Sequence, residues 1–416
     1  MNRVCVFTLG CKVNQYESES IADALRERGC SVTDQLSMCD AYIINTCAVT
    51  REAERKSRQM ITKIHKLNPD APIYIVGCAS QKDAQAFIGK KNVKVVCGTA
   101  GKREIVNLLG REGVFVGPPS GVYEDVLRKG NLRTRAFVKI QDGCDSFCSY
   151  CIIPYLRGRS RSRNPESIRR EIASLSGSVK EFVFTGINIS DYEGGLDKLI
   201  EQLSDLDVRI RLGSLEAGIA GRNLLEALKK LKKFCPHFHL SLQSGSDRVL
   251  KSMNRHYTAE EFLSSVELIR EYFPEAAVTT DIICGFPTES EEDFIKTLEV
   301  ARRARFSDIH IFNYSPREGT AAAKLKPLDK AIVKEREEEL KRLKFRLKGQ
   351  FISQNLGKVR QLLTESFEGG LCSGYSENYL KLYAEGNLKL NEIYSVIPYE
   401  RYSDGVRARL AEVEAP

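Results

Sequence analysis

The 416-residue sequence predicts an α/β protein in three parts: an amino-terminal doubly wound parallel sheet, a central open (β/α)6 partial barrel and a small carboxy-terminal all-β domain. Two observations carry this prediction. Short apolar runs alternate with amphipathic stretches through most of the chain, which is the pattern of parallel strands joined by helices. The last part instead shows short strands separated by turn residues, and the whole chain is too long for one compact core.

The first domain is predicted to span residues 1–116. Its expected strands are Val4–Leu9, Ala41–Asn45, Ile73–Gly77 and Val93–Cys97. Amphipathic patterns between the strands predict helices near Glu17–Arg28, Arg51–Leu67 and Gln81–Ile88. This β-α-β-α order indicates a parallel sheet whose carboxyl strand ends lie along one edge.

The central domain is predicted to span residues 135–353, after a linker at 117–134 that opens with Gly-Pro-Pro-Ser-Gly. Its six expected strands are Ala136–Gln141, Glu181–Thr185, Val208–Leu212, His237–Leu242, Val278–Ile283 and Asp308–Asn313. Six strand–helix units are too few for a closed eight-stranded barrel, so we expect an open barrel with reactive loops at the carboxyl strand ends. A charged helix is expected at Lys330–Gln354.

The last domain is predicted to span residues 354–416. Its expected strands include Lys358–Thr364, Tyr379–Tyr383 and Val406–Val413. Turn residues between such short strands favour a small β-barrel or sandwich. The tyrosines of this part, among them Tyr375 and Tyr379, are expected either to stack on nucleic-acid bases or to fill the core of the barrel.

Composition and charge favour a cytoplasmic protein that binds RNA. No apolar run is long enough for a membrane span, and the residues after Met1 alternate like a strand rather than a signal peptide. Thirteen cysteines in a reducing compartment favour metal ligands over disulfides. Residues 131–163 carry seven basic and two acidic side chains. Such a basic face suits a polyanion, and a solvated charged surface is the other interpretation.

The strongest motif is Cys144-Asp-Ser-Phe-Cys148-Ser-Tyr-Cys151, just after the first strand of the central domain. A structural zinc site normally closes with four ligands, and the next cysteine downstream is as far away as Cys235. Three thiolates on a four-iron cluster instead leave one iron open to a substrate or cofactor. The spacing therefore favours a [4Fe–4S] cluster, with a zinc loop completed from elsewhere as the alternative.

A second set of cysteines is defined by position. Cys11, Cys47 and Cys78 each follow the carboxyl end of an expected strand of the first domain. Because those ends converge on one crevice, the three thiols are expected to hold a second cluster with an open iron. Cys97, at the end of the fourth strand, is a less favoured fourth ligand because it continues an apolar run. The alternative is that these cysteines only pack in the core.

Both cysteine sets lie in strings that resemble one family. The Cys144 motif is similar to the radical SAM signature of enzymes that cleave S-adenosylmethionine (SAM), and Tyr150 fills the aromatic place before its last cysteine. Three sequence segments resemble the radical SAM methylthiotransferases. They are Thr8-Leu-Gly-Cys-Lys-Val-Asn, Asn45-Thr-Cys-Ala-Val-Thr-Arg-Glu-Ala and Cys151-Ile-Ile-Pro-Tyr-Leu-Arg-Gly-Arg. The likeness runs from residue 1 to about residue 353, and the β tail resembles a short TRAM domain.

The resemblance implies two [4Fe–4S] clusters, SAM, and radical insertion of a methylated sulfur into a C–H bond. Three further strings resemble the enzymes that convert N6-threonylcarbamoyladenosine, next to the anticodon of transfer RNA (tRNA), to its 2-methylthio derivative: Phe184-Thr-Gly-Ile-Asn-Ile, Leu212-Gly-Ser-Leu-Glu and Leu242-Gln-Ser-Gly-Ser-Asp. The nearest alternative is the same chemistry on isopentenyladenosine of tRNA or on a ribosomal protein. An alternative of another class is a non-catalytic, metal-stabilised RNA-binding module.

Barrel position and family likeness also imply residues and partners. The expected SAM contacts are Tyr150, Thr185, Gly186, Ser214, Glu216, Gln243 and Ile283. Arg157 and Arg159, which trail the cluster loop, are the expected catalytic residues, because arginine pairs bidentately with phosphate and carboxylate. A solvated charged strand is the other interpretation of these arginines. The expected partners are tRNA and a small electron-transfer protein as reductant, with neither membrane nor DNA.

Overall fold

The computed structural model describes residues 2–130 and 133–411. Three parts of the predictions lie outside the described residues: Met1, residues 131–132 of the linker, and residues 412–416 with the end of the strand predicted at Val406–Val413. The described chain forms two α/β parts and a closed β-barrel, as the sequence predicts. Among its helices there is none with the length and apolar character needed to cross a bilayer.

The first part is a six-stranded parallel sheet between two apolar cores. Its elements are β1 (Arg3–Thr8), α1 (Lys12–Glu27), β2 (Ser31–Thr33), β3 (Ala41–Thr46), α2 (Arg51–Leu67), β4 (Ile73–Gly77), α3 (Cys78–Lys82), β5 (Val93–Cys97) and β6 (Gly113–Phe115), with a 3-10 helix at Lys102–Leu108. Strands β3 and β4 are buried along their whole length, which explains their near-continuous apolar sequence. The order β2-β1-β3-β4-β5-β6 changes direction between β1 and β3, where doubly wound sheets bind ligands.

The central part is an open barrel of parallel strands. The strands of this part are β7 (Arg135–Lys139), β8 (Gln141–Asp142), β9 (Arg161–Ser162), β10 (Glu181–Thr185), β11 (Arg209–Leu212), β12 (Ser214–Leu215), β13 (Lys233–Phe234), β14 (His237–Leu240), β15 (Ala277–Cys284) and β16 (Asp308–Asn313). The short strands β8 and β9 form an antiparallel pair apart from the barrel. Two neighbouring sheets form the wall, β13-β11-β10-β7 and β12-β14-β15-β16, and β11 runs into β12 with only Gly213 between them. No pairing joins β7 to β16 among the described residues, so the barrel is open on one side.

Most helices of the central part cover the outside of the barrel. The helices of this part are α4 (Ile153–Arg157), α5 (Pro165–Leu175), α6 (Leu196–Gln202), α7 (Arg222–Lys230), α8 (Asp247–Ser252), α9 (Ala259–Tyr272), α10 (Glu291–Ala304) and α11 (Lys330–Asn355), with 3-10 helices at Ile189–Asp191, Ala217–Ile219 and Ala321–Lys324. Capping boxes at Thr258 and Ser290 fix where α9 and α10 begin. One continuous apolar core joins α5, α6, α7, α9, α10 and α11 to the strands, whereas α4 packs against the core of the first part.

The closed β-barrel at the carboxyl end covers the amino-terminal end of the central barrel. Its strands are β17 (Arg360–Glu368), β18 (Leu371–Tyr375), β19 (Lys381–Ala384), β20 (Ile393–Tyr402) and β21 (Gly405–Leu410). Arg211 donates hydrogen bonds of 3.0 and 3.1 Å to the carbonyl oxygens of Glu377 and Ser376. The ring of Tyr379 stacks on His237 at a centroid distance of 4.2 Å, so this tyrosine joins two domains.

The segment predicted as a linker is packed between the first two parts. The Arg128 side chain is completely buried, and it forms ion pairs with Glu19 of α1 and, at 2.8 Å, with Glu171 of α5. The Tyr123 hydroxyl donates a 2.5 Å hydrogen bond to the Lys139 carbonyl oxygen. The segment between the two domains is therefore held in place by charge pairing and hydrogen bonds rather than by apolar content.

Candidate functional site

Both cysteine sets line one cavity, at the carboxyl ends of the strands of both α/β parts. Its volume is ≈ 330 Å³. The six lining thiols are those of Cys11, Cys47, Cys78, Cys144, Cys148 and Cys151. Cys97, the fourth candidate ligand, is instead buried in the apolar core of the first part. Two sets that are more than sixty residues apart in sequence thus face each other across a single space.

Sheet order brings the first set together. Cys11 precedes α1 after β1, Cys47 follows β3, and Cys78 begins α3 after β4, and these three strands are neighbours in the sheet. Gly10 has φ +102°, and a Cβ on it would lie 2.7 Å from the Cys47 sulfur, so only glycine allows this approach. The Asn14 amide donates to the carbonyl oxygens of Leu9 (2.8 Å) and Thr46 (3.0 Å) and so ties the two loops together.

The second set lies on a loop held by the residues that follow α8. The Ser149 amide donates to the Met253 carbonyl oxygen at 2.9 Å, and the Asn254 side chain donates to the Phe147 carbonyl oxygen at 3.1 Å. One guanidinium nitrogen of Arg255 lies 3.3 Å from the Cys148 sulfur and 3.0 Å from Glu216 Oε1. The loop is therefore shaped by the protein before any cluster binds.

Substitution of Gly143, which precedes this loop, is expected to damage it. Gly143 has φ +73°, and a Cβ there would lie 1.9 Å from the Arg159 carbonyl oxygen. Gly143→Ala should therefore lower the free energy of unfolding by at least ~2 kcal/mol, because the backbone at Gly143 or Arg159 must move to make room for the Cβ. The same movement should distort the cysteine loop and reduce the iron content. The matched control is Gly177→Ala, where an added Cβ meets nothing within 4 Å. Equal urea midpoints for the two variants would contradict this prediction.

The environment of the thiols suits a metal cluster. Burial raises the pKa of Cys47 and of Cys151 to about 12, so these thiols need a bound metal to lose their protons at neutral pH. Burial also raises the pKa of Cys11, whereas the nearby Arg157 guanidinium lowers it. Three convergent soft donors on each side of the cavity fit iron–sulfur clusters that keep one iron open.

A buried network of charges joins the two domains beside the cavity. Its members are Glu17, Asp142, Lys102, Lys139, Arg157 and Arg161. Arg157 is central: its guanidinium contacts Glu17 at 2.8 Å, Asp142 at 3.0 Å and Asn14 Oδ1 at 2.8 Å. Although burial alone would raise the pKa of Glu17, Arg157 and Lys102 hold it far below its usual range. With four cations and two carboxylates, the network leaves net positive charge next to the thiols.

The predicted arginines occupy different environments. Arg157 lines the cavity but is buried, and its charge is shared with protein carboxylates. Arg163 is also buried, against Glu171 and Asp125, so this series of arginines is not one solvated strand. Arg159 is the exposed member, with 75% of its side chain accessible, and it pairs with Asp145 at 3.1 Å.

Five of the seven predicted SAM contacts line the cavity: Tyr150, Gly186, Ser214, Glu216 and Gln243. Thr185 and Ile283 are buried and do not line it. Gln243 has φ +63°, an unusual conformation for a residue with a side chain, and its backbone is held by a 2.8 Å hydrogen bond to the Asp281 carbonyl oxygen. Such a constrained backbone at a cavity wall is typical of a binding residue.

Sequence reasoning missed several residues that line this cavity. They include Asn14, Ser146, Asn188, Arg255 and Asp281. Arg255 follows α8 in a segment with no recognisable motif, and Asp281 sits within the apolar run of β15. An acidic residue inside an otherwise buried strand was the one signal that could have identified Asp281.

Family comparisons agree with this architecture. The Radical SAM superfamily matches residues 138–301, and Uncharacterized protein family UPF0004 matches residues 3–98. Among solved structures, the radical S-adenosylmethionine methyltransferase TsrM from Kitasatospora setae, with cobalamin and a [4Fe–4S] cluster bound, has a TM-score of 0.59. It is 15% identical, and the match covers 78% of this chain and 77% of that one, so it shows the fold alone.

Curated relatives extend over the whole chain. The threonylcarbamoyladenosine tRNA methylthiotransferase MtaB of Thermotoga maritima is 37% identical, with 100% of this chain and 99% of the relative covered. The MtaB of Bacillus subtilis is 35% identical, over 93% and 91%. The tRNA-2-methylthio-N(6)-dimethylallyladenosine synthase of Caldicellulosiruptor saccharolyticus is 36% identical, over 94% and 86%.

These matches define a radical SAM enzyme with an added amino-terminal domain. At this identity and coverage the chain belongs to the radical SAM methylthiotransferase family. Membership confirms the predicted cofactors, SAM and two [4Fe–4S] clusters.

Proposed function

We propose that this protein converts N6-threonylcarbamoyladenosine, next to the anticodon of tRNA, to its 2-methylthio derivative in the cytoplasm. The observation that carries the proposal is the shared cavity, in which two sets of three thiols face one another. Only a reaction that uses two centres on one substrate needs that arrangement. The MtaB relatives that match almost the whole chain support the choice of nucleoside.

In this proposal each domain has one task. Residues 1–116 hold one cluster through Cys11, Cys47 and Cys78, and residues 135–353 hold the other through Cys144, Cys148 and Cys151. When bound, the clusters and SAM supply the radical, the sulfur and the methyl group. The carboxy-terminal barrel, residues 354–416, contacts RNA beyond the modified nucleoside.

The protein's own residues position these groups. Arg157 places α4, which begins just after Cys151, against α1, which begins just after Cys11, and so fixes the distance between the two loops. Glu216 and Arg255 form a pair at the cavity wall that offers both an acceptor and a donor to the amino acid part of SAM. Gln243 offers an amide after the neighbouring strand β14. The apolar packing around Tyr150 keeps water from that side of the cavity.

RNA contacts are assigned to exposed basic residues. Arg159 beside the cluster loop and the exposed face of α2, with Arg51, Arg55, Lys56 and Arg58, surround the site from both domains. Phosphate contacts position RNA without reading its sequence, so these side chains suit that role. A small electron-transfer protein is the proposed reductant.

The direct test is mass spectrometry of nucleosides from the bulk tRNA of a strain that lacks the gene. We expect 2-methylthio-N6-threonylcarbamoyladenosine to disappear, N6-threonylcarbamoyladenosine to accumulate, and 2-methylthio-isopentenyladenosine to stay unchanged. The control is complementation with the wild-type gene and with the Cys144→Ala variant, of which only the first should restore the product. Loss of the isopentenyl product instead would favour the other tRNA substrate.

A further inference from the structure

One arginine side chain contacts a cysteine sulfur of the Cys144 loop. Arg255 follows α8 and lines the cavity, and its Nη1 atom lies 3.3 Å from the Cys148 sulfur. We propose that Arg255 sets the reduction potential of the cluster held by Cys144, Cys148 and Cys151, by donating hydrogen bonds to sulfur. This inference rests on the cluster placement in the proposed function, and it does not depend on which nucleoside is modified.

Packing fixes the Arg255 guanidinium beside that sulfur. Only 7% of the side chain is exposed. Its Nη1 atom also donates to Glu216 Oε1 at 3.0 Å, and its Nε atom donates to the Tyr257 hydroxyl at 3.3 Å. Tyr257 in turn donates a 2.7 Å hydrogen bond to the Ser241 carbonyl oxygen, just beyond β14. Contacts with the barrel wall, rather than with the cysteine loop, therefore determine where this cation lies.

A second nitrogen of the same guanidinium is left for a ligand. The Nη2 atom is buried, and within residues 2–130 and 133–411 it has no hydrogen-bond partner. A buried donor on a charged group is costly unless it meets an acceptor. A cluster bound through Cys148 brings inorganic sulfur to this wall of the cavity, and hydrogen bonds to cluster sulfur are one way in which a protein tunes the potential. Arg255 thus offers donors to both kinds of sulfur.

The direction of the effect follows from charge. Reduction adds one electron to the cluster, and a cationic donor at its sulfur stabilises the reduced state more than the oxidised state. Arg255 keeps its charge, because a guanidinium group does not lose its proton in proteins. Since the side chain is buried, salt screens the interaction little. Arg255 should therefore raise the potential and make the cluster easier for an electron-transfer protein to reduce.

Carboxylates near the loop do not abolish this effect. Glu216 pairs with Arg255, so the two together are neutral, but the guanidinium is the member of the pair that contacts the Cys148 sulfur. The pair therefore acts as a dipole whose positive end lies at the sulfur. Asp191 lines the adjoining pocket and acts on Cys144. Its charge is the same in the wild type and in every variant below, so it cancels when their potentials are compared.

The test is a redox titration of the full-length protein with both clusters loaded and no SAM, followed by electron paramagnetic resonance. Arg255→Met should lower the midpoint potential of one cluster and reduce its equilibrium constant for one-electron reduction about tenfold, which corresponds to about 59 mV. Glu216→Gln should raise the same potential, because it removes the carboxylate that shares the guanidinium. The matched control Lys251→Met, which removes a charge from the exposed last turn of α8, should leave both potentials unchanged.

A chain without the other cysteine set identifies the affected cluster. With Cys11, Cys47 and Cys78 replaced by alanine, Arg255→Met should lower the one remaining potential by the same amount. If Arg255→Met loses iron, Arg255→Lys takes its place. This variant keeps the charge but not the two terminal nitrogens, so a smaller decrease is expected.

Three outcomes would overturn the inference. The first is an unchanged potential in Arg255→Met, or in Arg255→Lys where that variant replaces it. The second is an equal decrease in Lys251→Met, and the third is a shift that is absent once Cys11, Cys47 and Cys78 have been replaced. If the chain with those three substitutions binds no four-iron cluster at all, the cluster placement of the proposed function is itself refuted.

Discussion

Replacing Cys11, Cys47 and Cys78 together with alanine should halve the iron content, from about eight to about four atoms per chain, and abolish thiolation. Reductive cleavage of SAM should persist, because the Cys144 loop is held by Met253 and Asn254, and the three substitutions leave its contact with the first domain through Glu17 and Arg157 in place. Iron and sulfide analysis of anaerobically purified protein, with chromatography of the SAM products, measures both results.

Two control variants make this prediction specific. Replacing Cys144, Cys148 and Cys151 should also halve the iron but should abolish SAM cleavage as well. Cys97→Ala should leave the iron content unchanged, because the thiol of Cys97 is buried away from the cavity. A triple variant of the first set that retains eight irons, or one that loses all of them, would show that the two sets are not independent sites.

Arg157→Met should destabilise the folded protein by ~3–5 kcal/mol, because it leaves the buried carboxylates of Glu17 and Asp142 short of a partner. A urea titration of the wild type and the variant measures the change. Arg159→Met is the matched control: its side chain is 75% accessible, so its effect should stay within ~0.5 kcal/mol. Similar losses for both variants would argue against a buried network.

Stability should also depend on acid pH in a way that Arg157 controls. The pKa of Glu17 is depressed in the folded protein, so its contribution is complete above the unfolded pKa of ~4.3 and is lost as the pH falls towards the folded value. Because Arg157→Met removes one of the three cations that lower this pKa, the variant should lose less stability on acidification than the wild type. Urea midpoints at several acidic pH values measure the difference.

Most of the fold was predictable because apolar runs and strand periodicity are local signals. The central strands of the first sheet, the six barrel strands and the long helix at Lys330–Asn355 agree with the predictions within a few residues. The cysteine sets were predictable for a related reason. Sequence spacing defines Cys144, Cys148 and Cys151, and the topology of a parallel sheet brings the other three together.

Ion pairs between distant segments, in contrast, leave no local pattern in the sequence from which they could be predicted. Arg128 lies in a segment rich in turn residues, yet it is fully buried between Glu19 and Glu171. Arg157 resembles its exposed neighbour Arg159 in sequence, and only the carboxylates it meets in space distinguish the two. Which of several arginines is buried depends on carboxylates contributed by other elements, such as Glu17 of α1 for Arg157, so local pattern cannot decide it.

The roles of aromatic residues in the carboxy-terminal barrel were also not predictable from local sequence. Tyr375 and Tyr379 stack on each other at 4.7 Å, and Tyr379 also stacks on His237 of the central barrel. The sequence offered base stacking or a barrel core as their roles. The structure places Tyr379 at a domain interface, a third role that depends on how the domains meet.

The ion pair between Glu17 and Arg157 has a consequence for the geometry of the reaction. Glu17 follows Cys11 by six positions, and Arg157 follows Cys151 by six, so one contact joins two helices that each begin at a cluster loop. A shift of either loop must therefore move the other. The gap between the two reactive centres is thus a property of the folded chain, and a nucleoside is accepted only if its reacting carbon fits a spacing that exists before it arrives.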